Sequence, residues 1–65
     1  MKATYRLVLE RSGKHPIEAK GYVRGSVLAT LFGRAFRLAR DALAGRRIYF
    51  HRWDSITLSI GRYYD

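Results

Sequence analysis

The residues of this 65-residue chain that could do chemistry are cations and flat rings. Arg47, Tyr49, His51 and Trp53 alternate in the C-terminal third, and Lys20, Tyr22 and Arg24, with Arg6, do the same in the first half. Bases stack on exposed rings while phosphates meet Arg and Lys, so the mixture suits single-stranded nucleic acid. It also suits a protein hot spot, where Tyr, Trp and Arg dominate, and strands collect aromatics simply for cross-strand pairing. A second set, Arg34, Arg37 and Arg40, recurs at spacing three. On a helix these lie on successive turns and can follow a phosphate backbone or an acidic groove.

Catalytic constellations are poor. His15 precedes Pro16 in a loop and His51 falls in an alternating segment, so no metal-binding pair spacing exists. Glu10, Glu18, Asp41, Asp54 and Asp65 are scattered, and no Gly-rich phosphate loop is present. The expectation is a protein with no cofactor, no metal and no catalysis. The enzymatic alternative is a small metal-independent ribonuclease toxin, with His51 as base beside Arg47 and Tyr49.

Thirteen Lys and Arg against five Asp and Glu give a net charge of +8, and ten of the thirteen are arginines. Arginine's planar fork suits phosphate and carboxylate recognition better than lysine does. This surplus implies an anionic partner: a nucleic acid (DNA or RNA), an acidic protein surface such as that of a nucleoprotein complex, or an anionic membrane. The alternative is an arginine-rich composition in which charge only confers solubility. The expected partner is the nucleic acid or an acidic surface of a nucleoprotein complex, not a membrane. With no cysteine, a reducing compartment is the simpler setting, and the expected location is the cytoplasm. No apolar run nears the roughly 20 residues of a membrane span, and Arg6 and Glu10 break the only N-terminal one, so no signal peptide is expected.

The elements that must position these groups follow from periodicity. Thr4 to Glu10 alternates, with Tyr5, Leu7 and Leu9 on one face, as in a half-buried strand. Gly13 and Pro16 mark a loop. Ile17 to Arg24 alternates again, with Ile17, Ala19, Gly21 and Val23 inward; Gly21 is read as room for a bulky helix side chain or as a bulge. From Ser26 to Ala44, Leu28, Leu31, Phe32, Ala35, Leu38, Ala39, Ala42 and Leu43 recur at spacings of three and four. That predicts an amphipathic helix with Ser26 as N-cap and Gly45 as C′. Arg47 to Trp53 is read as a third strand with Ile48 and Phe50 inward, and Ile56 to Ile60 as a fourth, ahead of a polar, aromatic tail from Gly61 to Asp65. The expected fold is a single α+β domain over 1–65, a two-layer ββαββ with one helix on an antiparallel sheet of about four strands. Leu31 and Phe50 are expected to meet across the helix–sheet interface. Tyr22, Tyr49, His51, Trp53, Arg6, Lys20, Arg24 and Arg47 would then share the uncovered sheet face.

That layout, with the opening Met1-Lys2-Ala3 before a Tyr-led strand and Ile17-Glu18-Ala19 before the helix, resembles some small phage anti-CRISPR proteins directed against type I systems. The resemblance implies a non-enzymatic phage protein in the host cytoplasm that docks on a CRISPR surveillance complex and blocks target DNA engagement. The expected function is therefore a small basic binding protein acting on a nucleic acid or nucleoprotein complex. A plain protein-interaction or oligomerisation domain is the remaining alternative.

Overall fold

The computed structural model describes Lys2 to Tyr64, with side chains up to Gly61. Met1 of the opening tripeptide and Asp65 of the tail lie outside the described residues. The order is β1 (Lys2–Glu10), β2 (Ile17–Arg24), α1 (Leu28–Gly45), a 3₁₀ turn (Phe50–Arg52) and β3 (Ser55–Tyr64). The sheet is antiparallel throughout, in the order β2-β1-β3.

Strict alternation makes β1 the centre of the molecule. Ala3, Tyr5, Leu7 and Leu9 are buried on its inner face. Leu7 pairs with Ala19 on one side and Leu58 on the other, and Leu9 with Ile17 and Ile56, so apolar meets apolar across all three strands. Helix α1 covers this face with Leu31, Ala35, Ala39 and Leu43, all fully buried. Every fourth residue returns to one side of a helix, and the two alanines let the backbone come close to the sheet. Ile17, Ala19, Ile48, Phe50, Trp53, Leu58 and Ile60 pack round this centre, partly buried. The helix leans toward β2, which leaves Ile56 on β3 41% exposed.

Six expectations are corrected. Among the described residues the sheet has three strands, not four, because Arg47 to Trp53 forms no ladder. The cause is how the helix ends. Arg47, not Gly45, takes the left-handed conformation, at φ 61°, and two backbone amides fold back. The Arg47 N–H donates to the Ala44 carbonyl at 2.9 Å and the Ile48 N–H to the Leu43 carbonyl at 2.9 Å. This is a Schellman ending, with Ile48 placed to cover Leu43. The chain leaves it at an angle and closes the turn Phe50–Arg52 rather than pairing with a neighbour.

At the other end the N-cap is Val27, one residue beyond Ser26, and no side chain caps the helix. The apolar stripe is narrower than the spacing suggests, since Leu28 and Leu38 are exposed while Phe36, outside that stripe, meets Phe50 edge-on at 5.2 Å. Leu31 is buried and Phe50 only partly so, and the ring partner of Phe50 is Phe36. Finally, Gly61 to Tyr64 continues β3 past a register shift opposite Ala3 and Thr4 instead of forming a tail.

Candidate functional site

The loss of the fourth strand splits the expected aromatic–cationic face into two places. Arg6, Lys20, Tyr22 and Arg24 share the outer sheet face with Lys2 and Thr4, as the register dictates: Arg6 lies opposite Lys20, Thr4 opposite Tyr22 and Lys2 opposite Arg24. Arg47, Tyr49 and Trp53 gather instead at one end of the molecule, and His51 stacks on Tyr49, with ring centroids 6.1 Å apart.

That end holds a small pocket lined by Arg11, Lys14, Arg47, Ile48, Tyr49, Arg52 and Trp53. Three segments build it. The β1–β2 loop turns tightly, with the Lys14 N–H donating to the Arg11 carbonyl at 3.1 Å and Gly13 at φ 78°, and so presents Arg11 and Lys14. The Schellman ending presents Arg47. The 3₁₀ turn, closed by Trp53 N–H to the Phe50 carbonyl at 3.0 Å, presents Arg52. Asp54 fastens loop to turn: its backbone N–H donates to the Glu10 carbonyl at 2.9 Å and its carboxylate accepts the Ser12 N–H at 3.1 Å.

Four cations thus surround two aromatic rings, and no carboxylate lines the pocket. Among the described residues, none of the four takes part in an ion pair. Its volume is about 180 Å³, below the roughly 300–1,000 Å³ of small-molecule sites. That volume is of the order of a phosphate group or the edge of a base. Tyr49 is 46% exposed and offers a ring beside it.

The outer sheet face is electrically quieter. Glu18 accepts from the Arg6 guanidinium and pairs with Lys20 at 3.3 Å. These two cations, Arg6 foremost, hold its carboxyl below the usual glutamate range. The Lys2 ammonium lies 5.0 Å from the centre of the Tyr22 ring and so covers one face of it. An open groove of about 520 Å³ runs past Thr4, Arg6, Lys20 and Tyr22.

The helix stripe is uneven as well. Arg34 donates to the Arg24 carbonyl at 3.0 Å, Arg40 sits 3.4 Å from Asp41, and Arg37 is exposed without an ion pair among the described residues. No group of three or more His, Asp or Glu side chains gathers among the described residues in a way that could hold a metal ion. No helix is long and apolar enough to cross a membrane.

Reading by alternation missed Arg11, Lys14, Arg52 and Lys2 as members of these surfaces. The available signal was local composition: Arg46 to Trp53 carries three arginines, a histidine and three aromatic rings in eight residues, whatever backbone holds them. Compared with known proteins, the chain matches no family model, no curated protein and no solved structure.

Proposed function

We propose that this protein is a small, non-catalytic binding module that engages single-stranded nucleic acid, alone or within a nucleoprotein complex, through the cationic pocket at the end of its sheet. The observation that carries this reading is the convergence of Arg11, Lys14, Arg47 and Arg52 on Tyr49 and Trp53 in a pocket that no carboxylate lines, while Glu10 and Asp54 line a neighbouring hollow that Arg11 and Lys14 share. Concentrating four like charges around a small opening costs free energy in the unbound protein, and a phosphate relieves that repulsion on binding. The exposed Tyr49 ring, with the half-buried Trp53 beside it, accepts a base without reading its sequence. The outer sheet face, with Lys2, Arg24 and Tyr22, extends the cationic surface. In its most specific form, suggested by the resemblance of Met1-Lys2-Ala3 and Ile17-Glu18-Ala19 to anti-CRISPR proteins and not by the four-strand layout, which this fold lacks, the function is to obstruct target engagement by a CRISPR surveillance complex.

Salt dependence tests the reading. On a single strand each phosphate contact contributes about −0.7 to the slope of log affinity against log salt, so four contacts give a slope near −3 and roughly a 50-fold loss between about 50 and 200 mM salt. Fluorescence anisotropy with a short labelled single strand should show that slope and little preference among sequences. Absence of binding to single-stranded DNA, to RNA and to a purified surveillance complex would contradict it.

A further inference from the structure

We propose that this chain forms a two-fold symmetric dimer in which the free edges of two β3 strands pair antiparallel, joining two three-stranded sheets into one of six strands. Both β2 and β3 are edges of the sheet, but they are treated differently by the sequence. The β2 edge carries Glu18, Lys20 and Arg24 and follows Pro16, the devices by which a strand discourages pairing. On β3, Ser55 to Gly61 has no charged residue and no proline. In a chain of net charge +8 this uncharged strip lets two copies approach with little local repulsion. Backbone N–H and C=O groups along a free edge are unpaired, and a second copy supplies their partners.

The register follows from geometry. Inner faces must meet inner faces, so residue i pairs with j only when i and j have the same parity, and the two-fold axis passes through a residue opposite its own copy. The register shift that begins past Gly61 confines regular pairing to Ser55–Gly61, whose midpoint is Leu58. Leu58 then faces its copy, Ile56 faces the other chain's Ile60, and Thr57 faces the other chain's Ser59. Every inner pair is apolar and every outer pair neutral. The pairing covers the flank of Ile56, which is 41% exposed in the single chain, and of the half-buried Leu58 and Ile60. This inference stands apart from the nucleic-acid reading, since neither Thr57 nor Ser59 lines the end pocket.

Two double variants of the full chain test it, with mass measured by light scattering after size exclusion. Thr57→Lys/Ser59→Lys sets like charges directly opposite each other across the proposed ladder. Thr57→Glu/Ser59→Lys sets opposite charges there and shares the same change opposite Arg6 within one chain. The wild type should have twice the 7.5 kDa of one chain. The first variant should be monomeric and the second dimeric, with the same circular dichroism. Added salt should strengthen the wild-type dimer by screening the repulsion between two cationic chains. A wild type that stays monomeric at the highest soluble concentration overturns the proposal, as does a dimer that survives the first variant or fails to form in the second.

Discussion

The Tyr5 ring lies across the sheet on Gly21, its partner on β2, so closely that a Cβ at position 21 would sit 3.0 Å from both Cε1 and the hydroxyl oxygen. Tyr5 is 8% exposed and helps close the core beside the helix. The glycine on the inner face of β2 thus makes room for a neighbouring strand's ring, not for a helix side chain. An aromatic laid over a strand glycine covers backbone that would otherwise face solvent.

Gly21→Ala should therefore destabilise the protein although alanine is the better strand residue. Forcing a methyl under a packed ring costs roughly 1–3 kcal/mol, against about 0.5–1 gained from the stiffer backbone. Thermal unfolding should fall by several degrees at roughly 4–8 °C per kcal/mol. The loss should shrink in a Tyr5→Leu background. An equal loss in both backgrounds would show that the ring is not the obstacle.

Val27 caps the helix with no side-chain hydrogen bond, the first turn holds no acidic residue, and the valine side chain is 55% exposed. Val27→Asp should supply an acceptor for free amides and a charge that suits the N-terminus. The expected gain is about 1 kcal/mol of stability in denaturant unfolding, with an unchanged slope against denaturant. A midpoint that stays put or falls would mean the cap lies elsewhere.

Arg47 holds a left-handed backbone at φ 61° and lines the cationic pocket with the same residue. Stability and binding should therefore separate at this position. Arg47→Gly relieves a left-handed cost of roughly 1–2 kcal/mol, offset in part by a looser unfolded chain, and should melt higher while binding single strands more weakly. Arg47→Ala keeps the strain and should lose binding to a similar degree without gaining stability. Equal melting temperatures for the two would remove backbone strain from the explanation.

Glu18 is held ionised by Arg6 and Lys20, so its carboxyl titrates below the usual glutamate range. A lowered folded-state pKa adds stability that is complete above the unfolded value, about 4.3, and is lost as pH falls through the lower folded value. Glu18→Gln should flatten that part of the acid-side decline in melting temperature. It also frees two cations of the outer sheet face, yet affinity for single strands should change less than about twofold, because the end pocket is untouched. A large rise in affinity would move the principal contact to the outer face.

Most of the fold was legible because its strongest signals are local. Tyr5, Leu7 and Leu9 on β1, Val23 on β2 and the Leu31–Ala35–Ala39–Leu43 stripe announce their buried faces by spacing alone, and the structure buries them. The segment from Arg47 to Trp53 was not legible. Four residues of alternation, Ile48 to His51, fit a strand and an extended exit followed by a 3₁₀ turn equally well. The deciding event, a left-handed arginine two residues after the obvious glycine, leaves no mark in the sequence. The end pocket was hidden for a related reason. Arg11 and Lys14 reach Arg47 and Arg52 only because Asp54 ties the β1–β2 loop to the turn before β3, a contact between segments far apart along the chain. Composition showed that cations and rings were abundant near the C-terminus, but not which of them would meet.

Whether the pocket is the binding site is decided most directly by comparing Arg11→Ala/Arg52→Ala with Arg37→Ala in single-strand binding across a salt series. All three side chains are exposed arginines, so the comparison holds charge type constant and changes location. The pocket variant should bind at least tenfold more weakly at about 50 mM salt, with a salt slope reduced by about 1.4, while Arg37→Ala stays close to the wild type in slope. Unchanged affinity and slope in the pocket variant, or an equal loss per arginine at Arg37, would contradict a localised site and leave a diffuse cationic surface in its place.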